Sequence, residues 1–211
     1  MDFNQGWWLL GAGMWEERYQ SAAGYLFGRE PAQVLTENPW LVMPGASVLC
    51  VADGEGRNAV HLARRGMRVT AFDMAPTAVA RARALAAEAN VAIDTQVASW
   101  SDWDWSRRYD MVLAVYVQFA TPEFRIRQFV DMATALKPGG RLVLHGYTPE
   151  QVGLGSGGPS NRAHMYTADL LSEAFLGWTV ERLATYERDV QEGRGHSGRS
   201  ALIDFVARKP A

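Results

Sequence analysis

The sequence has 211 residues, of which 48% are hydrophobic, and this fits one folded domain with a buried core. Its 21 basic and 23 acidic residues give a net charge of −2, so the composition offers no basic surface for nucleic acid. The single cysteine, Cys50, excludes an intramolecular disulfide framework. The four histidines show no paired spacing that would indicate a metal site.

The N-terminal region contains an apolar stretch from Trp7 to Trp15. This stretch is too short to cross a bilayer, and no basic residue precedes it, so we expect neither a membrane span nor a secretory signal. Together with a lone cysteine in a predicted buried strand, this predicts a cytoplasmic protein.

A glycine turn separates a predicted strand from a predicted helix near residue 54. The apolar run 48–52 predicts the strand, Gly54 and Gly56 interrupt it, and Val69 to Asp73 predicts a second strand that ends in an acid. A carboxylate about 20 residues after a glycine turn is typical of nucleoside cofactor sites. Glycine lets the backbone approach a ligand, and the acid can accept hydrogen bonds from ribose hydroxyls. We therefore expect Asp73 to bind a cofactor.

Strands and helices continue to alternate along the chain. Further strands are predicted at Val91 to Val97, Tyr109 to Val115, Arg141 to Tyr147, roughly Trp178 to Tyr186, and Ala201 to Ala207. Helices are predicted from Pro76 to about Glu88, from Thr121-Pro122 to the stop at Pro138-Gly-Gly, and after Thr167, while a loop is predicted from Gln191 to Gly198. This order predicts an α/β fold, a Rossmann-like doubly wound sheet of about seven strands, mostly parallel with an antiparallel C-terminal strand pair.

Four segments together are more specific than any one of them. They are Asp53-Gly54-Glu55-Gly56, Asp73, Tyr109-Asp-Met-Val-Leu, and Leu136-Lys-Pro-Gly-Gly-Arg-Leu-Val-Leu144. In this combination the chain, from Met14 onwards, resembles the class I S-adenosylmethionine-dependent methyltransferases.

A narrower resemblance is carried by Trp15-Glu-Glu-Arg18-Tyr19, Phe27-Gly-Arg-Glu-Pro31, Gly54-Glu-Gly-Arg-Asn58, Tyr147-Thr-Pro-Glu-Gln151 and Glu192-Gly-Arg-Gly-His196. These segments are similar to the bacterial tellurite-resistance and thiopurine methyltransferases, which act on small molecules. The likeness implies a start at Met14, so residues 1–13 are expected to be an N-terminal extension. Residues 14–211 are expected to form a single domain with lid or cap helices at about 14–43.

The resemblance implies a set of contacts with S-adenosylmethionine, made by Tyr19, Ala52, Asp53, Gly54, Gly56, Asn58, Asp73, Met74, Ser99, Trp100 and Ala114. Asp73 would hold the ribose, Met74 would lie beside the adenine, and Ala114 would lie beside the methionine part. The chain departs from the family at two positions, since Cys50 replaces an acid on the first strand and Ala52 replaces the first glycine. In the family that acid usually helps to position the methionine end of the cofactor.

Methyl transfer from a sulfonium chiefly requires alignment of the reacting groups, which is worth about 7–11 kcal/mol. A base is needed only if the acceptor arrives protonated. Ligands of open α/β sheets bind beyond the carboxyl ends of the strands, so His145 and Tyr147 at the end of the fifth strand are candidate catalytic residues. His196 is a third, because packing gives little reason for a histidine among glycines. For His145 and Tyr147 a structural role is equally compatible with the sequence.

Two other functions remain open from the sequence alone. Gly54-x-Gly56-x-x-Ala59 with Asp73 also satisfies the dinucleotide fingerprint of nicotinamide-dependent oxidoreductases, although a terminal strand pair replaces the second half of that fold. The departures at Cys50 and Ala52 are compatible with a protein that binds S-adenosylmethionine without turnover. The analogy with the relatives suggests a small acceptor, of which a sulfur, selenium or tellurium nucleophile is one example, and it says nothing about the oligomeric state.

Overall fold

The structure, a computed structural model, describes residues 13–211. Residues 1–12 lie outside the described part, and with them nearly all of the expected extension, which stays a prediction. Within residues 13–211 every helix is too short or too polar to cross a bilayer.

Helices and strands alternate from residue 47 onwards, as the sequence predicts. The strands are β1 (Ser47–Val51), β2 (Arg68–Asp73), β3 (Asp94–Val97), β4 (Tyr109–Val115), β5 (Leu136–Tyr147), β6 (Thr179–Glu192) and β7 (His196–Arg208). The helices are α1 (residues 13–21), α2 (Gln33–Glu37), α3 (Arg57–Arg64), α4 (Pro76–Glu88), α5 (Pro122–Ala135) and α6 (Ala168–Ala174). Short 3-10 turns occupy Pro39–Leu41, Pro149–Gln151 and Arg162–His164.

The described strands form one seven-stranded sheet in the order β3-β2-β1-β4-β5-β7-β6. Neighbours among β1 to β5 are parallel, whereas β7 runs antiparallel to both β5 and β6. The predicted fold class is therefore confirmed. This order also places β1 between β2 and β4, so the carboxyl ends of three parallel strands meet at one edge, where ligands of such sheets bind.

Side chains of β1 alternate between the two faces of the sheet. Val48 and Cys50 belong to the core under α2 and α3, while Leu49 and Val51 belong to the core under α5 and α6. Cys50 therefore points into an apolar layer between sheet and helices.

Several predicted boundaries match the structure and others are wrong. The bounds predicted for α4 and β4 are those found, but β3 begins three residues later than predicted, because the amide of Val91 instead closes the end of α4 on the carbonyl of Ala86. The predicted loop from Gln191 to Gly198 is mostly strand, since β6 and β7 pair as far as Glu192 and His196 and only residues 193–195 form the turn.

Candidate active site

A pocket opens beyond the carboxyl ends of β1, β2 and β4. Residues of β1, β2 and β4 and of the turns that follow them form its floor, and Trp15 and Tyr19 of α1 form part of its roof. The irregular segment 22–32, here called the N-terminal strap, adds Phe27 to that roof. The C-terminal hairpin contributes His196.

Asp73 at the end of β2 is held in place by the backbone of the adjacent turns. Its Oδ2 accepts a hydrogen bond from the amide of Gly54 at 2.9 Å, and its Oδ1 accepts one from the amide of Ala75 at 2.9 Å. Burial raises the pKa of Asp73 to about 6, although these hydrogen bonds oppose the rise. The side chain is therefore mostly ionised at neutral pH and fixed in orientation.

Asp53 is a second acid in the same pocket, at the turn after β1. The amide of Ala59 donates a hydrogen bond to its carboxyl group, but Oδ2 is buried with no partner among the described residues. Burial, and then the charge of Asp73, raise the pKa of Asp53 to about 8, while Arg57 acts in the opposite direction. The group is therefore mostly protonated at neutral pH before a ligand binds.

The backbone between β1 and α3 passes close to the pocket roof. Gly54 has a φ of +61°, and a Cβ atom there would lie 2.7 Å from the Tyr19 hydroxyl. Ala52 has a φ of +48°, a left-handed conformation that L residues with a Cβ adopt at a cost. The replacement of a glycine by Ala52 therefore leaves the turn intact but strained.

The far side of the pocket is apolar and aromatic. Trp100 lines it with its indole fixed, because the ring nitrogen donates to Asp131 Oδ2 at 2.9 Å. The Phe119 ring packs against that of Trp100, with centroids 6.4 Å apart, and Met74 lines the same pocket. A flat purine ring fits a wall of this composition.

Four rings form what we call the aromatic cluster, made of Phe27, Tyr116, Tyr147 and His196. The centroid of the His196 ring lies 4.1 Å from that of Tyr116, 4.6 Å from that of Phe27 and 5.7 Å from that of Tyr147. The Tyr116 and Tyr147 hydroxyl oxygens and His196 Nδ1 are buried and have no hydrogen-bond partner among the described residues. Unpaired buried polar atoms are costly, so their grouping beside the pocket favours a ligand that pairs with them.

His196 is neutral at pH 7 in this environment. Burial lowers the pKa of His196, even though the negative charge of Glu192 opposes the change. Glu192 Oε2 lies 3.8 Å from His196 Nδ1, too far for a hydrogen bond, and pairs instead with Arg57 Nη2 at 2.6 Å. Burial would raise the pKa of Glu192, but His196 and Arg57 hold it at about 2. The pocket therefore combines a neutral histidine with a closed ion pair.

Most of the predicted site residues line this pocket, namely Tyr19, Ala52, Asp53, Gly54, Asn58, Asp73, Met74, Trp100 and His196. Three predicted cofactor residues do not line it. Gly56 packs against α4, where its Cβ would lie 2.7 Å from that of Ala82, and Ala114 belongs to the core. Ser99 hydrogen-bonds Asp102 Oδ2 at 2.6 Å on the surface.

His145 and Tyr147 lie on β5 behind the pocket wall. His145 Nδ1 lies 2.7 Å from Asp204 Oδ1, and its ring packs 4.8 Å from the ring of Tyr116. Asp204 also binds Arg182 and Tyr186, so the structure puts His145 in a buried polar network that supports Tyr116. Tyr147 contacts the pocket only through the aromatic cluster.

Sequence reasoning missed several wall residues, among them Trp15, Phe27, Arg57, Tyr116 and Phe119. Tyr116 lies directly after β4, two residues beyond Ala114, which the resemblance singles out. Its position at the end of a parallel strand is the feature of the sequence that could have indicated it. Its φ of +58°, which turns the chain beside the pocket, is not readable from sequence.

The fold, and the segment that contains the glycine turn after β1, are similar to those of known proteins. Residues 48–140 match a family described as a methyltransferase domain. The ubiquinone biosynthesis O-methyltransferase of Xanthomonas campestris pv. campestris (strain B100) is 35% identical over 106 residues, 49% of this chain and 44% of that protein. The chain thus spans less than half the length of this curated relative.

Solved structures extend the match in fold to nearly the whole chain. A structure described as conversion of a disulfide bond into a thioacetal group during echinomycin biosynthesis aligns with a TM-score of 0.73 at 22% identity, over 95% of this chain and 92% of that one. Magnesium protoporphyrin IX methyltransferase (ChlM) from Synechocystis PCC 6803 with bound SAH gives 0.62 at 17% identity, over 99% of this chain and 88% of that one.

Residues 48–140 thus match a methyltransferase domain, and the chain shares its fold with solved methyltransferase structures. The cofactor of methyltransferases of this kind is S-adenosylmethionine. The pocket of the methyltransferase domain fits that molecule, because its two buried carboxyl groups match ribose hydroxyls and a positive charge, and the Asp53 carboxyl has an unpartnered oxygen. The narrower likeness to the tellurite-resistance and thiopurine enzymes stays a prediction.

Proposed function

We propose that this protein transfers a methyl group from S-adenosylmethionine to a small-molecule acceptor. The observation that carries the proposal is that one pocket contains both Asp73, at the end of β2, and His196 of the aromatic cluster. A cofactor held at Asp73 and an acceptor held at the cluster would therefore share a continuous space. A cytoplasmic location, expected from the lone cysteine, is part of the same proposal.

The cofactor end of the pocket binds and orients. Asp73 would accept hydrogen bonds from the ribose hydroxyls, and Trp100 and Met74, which line the same pocket, would hold the adenine. When bound, S-adenosylmethionine supplies a methyl group on a positively charged sulfur, and this sulfur keeps the electron pair of the broken bond as the acceptor bonds the methyl carbon. The walls have only to hold the two reactants in line.

The acceptor end removes a proton. His196 is neutral, so it can take the proton of a hydroxyl or thiol acceptor as the new bond forms. Tyr116 lines the pocket, and its buried hydroxyl has no partner among the described residues, so this atom can hydrogen-bond the acceptor. Because Glu192 and Arg57 neutralise each other, the cluster suits an uncharged acceptor.

Calorimetric titration with S-adenosylmethionine, S-adenosylhomocysteine and NADH tests the cofactor. We expect micromolar binding of the first two, loss of at least tenfold in affinity in Asp73→Ala because the ribose loses its acceptor, and no binding of NADH. Transfer of labelled methyl is then assayed with small uncharged acceptors, for which 2-mercaptoethanol, thiophenol and catechol are the probes.

Each result has a separate meaning. Binding of NADH alone would overturn the methyltransferase proposal in favour of an oxidoreductase. Binding of S-adenosylmethionine without labelled product from any probe would favour a protein that binds the cofactor without turnover.

A further inference from the structure

The resemblance implies an acid on β1 where this chain has Cys50. Another acid, Asp53, lies three residues further on. Cys50 faces the apolar core under α2 and α3 and does not line the pocket. Asp53 does line it. Among the pocket-lining residues that the structure describes, the acids are Asp53 and Asp73.

These two acids differ in how their oxygens are used. Both oxygens of Asp73 accept backbone hydrogen bonds, whereas Asp53 Oδ2 is buried and has no partner within residues 13–211. A buried carboxyl oxygen that lacks a donor, on a residue that lines a pocket, is a site for a cationic group of a ligand. Arg57 lines the same pocket, but its charge is already paired with Glu192 at 2.6 Å, so the unpaired oxygen of Asp53 is the group that can receive a cation here.

We infer that Asp53 pairs with the amino group of the bound cofactor and releases a proton to solvent when it does so. The inference rests on the proposed function, because the cofactor supplies the amino group. In this step the O–H bond of the Asp53 carboxyl breaks, the proton goes to the buffer, and the carboxylate left behind pairs with the ammonium. The methyl group takes no part, so S-adenosylhomocysteine, which carries the same amino group, releases the proton as well.

The titratable and charged groups around Asp53 come from four elements. Asp73 on β2 disfavours its ionised form and Arg57 on α3 favours it. Tyr19 of α1 and Cys50 of β1 stay neutral, because burial raises the pKa of each further above its usual range. With the pKa of Asp53 at about 8, the free protein holds this proton at pH 7, and the arrival of a cation displaces it.

The test is calorimetric titration at pH 7.0 in phosphate and in Tris, two buffers with different enthalpies of ionisation. The dependence of the binding enthalpy on the buffer gives the number of protons released. For wild type we expect about 0.8 proton with either ligand, which is the protonated fraction of Asp53 less the small uptake by an α-amino group with a pKa near 8. In Asp53→Asn the release falls to near zero and the affinity drops.

The matched control is Asp189→Asn, which changes an exposed acid on β6. On ligand binding this variant should release as many protons as wild type. If the Asp53 variant does not fold, the pH dependence of wild type decides, because ionisation of Asp53 should raise the affinity for S-adenosylhomocysteine about sixfold from pH 6.5 to 7.5. Asp73, with a pKa of about 6, contributes only about 1.3-fold over the same range. Tight binding with no proton release, or with the same release in Asp53→Asn, overturns this inference and leaves the methyltransferase proposal standing. Failure of both ligands to bind overturns the proposed function itself.

Discussion

Two aspartates of this chain show how far the surroundings set the chemistry of one side chain. Burial would raise the pKa of Asp110, but hydrogen bonds from Lys137 and Ser47 hold it at about 2. Asp53 has the opposite balance, with a pKa of about 8, because burial and Asp73 act on it together. Asp110 is thus paired within the protein, whereas one oxygen of Asp53 at the pocket is left for a ligand.

The same reasoning predicts the pH dependence of catalysis through His196. Its pKa is lowered by burial, so the neutral form, which can accept a proton, is present above that pKa and is lost as the pH falls through it. At saturating cofactor we expect kcat to be constant above about pH 6.5 and to fall in more acidic solution. His196→Gln should lower kcat about 10²- to 10⁴-fold and remove the acidic limb.

Saturation with cofactor matters for this measurement. Asp73 titrates in the same range, with a pKa of about 6, and would add its own acidic limb to kcat/KM through cofactor binding. A His196→Gln enzyme that keeps the wild-type kcat, or keeps the acidic limb at saturation, rules out His196 as the base.

At the scale of elements, the N-terminal strap is latched over the pocket by one buried acid. Glu55 Oε2 accepts hydrogen bonds from the amides of Leu26, at 2.7 Å, and Phe27, at 3.4 Å. Its Oε1 pairs with Arg81 Nη1 at 2.7 Å, and the same Arg81 nitrogen donates to the carbonyl of Gly24 at 2.6 Å. The turn after β1 and helix α4 therefore hold the roof that Phe27 provides.

Loss of the Glu55 contacts should weaken cofactor binding without changing a residue that lines the pocket. We expect Glu55→Ala to weaken the binding of S-adenosylmethionine about tenfold, or ~1.4 kcal/mol, mainly through faster dissociation. Stopped-flow measurement of the dissociation rate checks this. Glu88→Gln is the control, because it disrupts an exposed ion pair with Arg29 on the same strap and should leave the rate unchanged. An unaltered rate in folded Glu55→Ala would mean that the strap is not a lid.

The elements that sequence predicts well are those with a strong local signal. Pro76 at the first turn fixes the start of α4, and the apolar run from Tyr109 fixes β4. The prediction missed the ends of β6 and β7 because their polar residues suggest a loop. In the structure these residues pair across the hairpin, as Arg199 does with Glu187. The same holds for the pocket residues. Asp73 can be predicted from the apolar strand that it ends, whereas Phe27 and Tyr116 come into contact with His196 only in the folded chain.

At the scale of the whole molecule, the first βα unit and the last hairpin are joined at the pocket. Arg57 at the start of α3 and Glu192 at the end of β6 form an ion pair in which both side chains are almost fully buried. The amide of Gln33, at the start of α2, donates to the other Glu192 oxygen at 3.3 Å. The carbonyl of Leu26 accepts from the amides of Arg194 and Gly195, so the strap and the hairpin close on each other there.

This buried pair should couple the stability of the two regions. Glu192→Leu alone leaves the Arg57 charge buried without its partner, and we expect it to lower the free energy of unfolding by about 3–5 kcal/mol. Arg57→Met with Glu192→Leu removes both charges and should recover much of that loss, so a double-mutant cycle followed by urea unfolding should give a large coupling energy. The exposed Arg199–Glu187 pair on the same hairpin is the matched control, with an expected coupling of about 0–1 kcal/mol. Equal coupling for the two pairs would contradict this prediction, and the position of His196 would then depend on other contacts, such as those between the carbonyl of Leu26 and the hairpin.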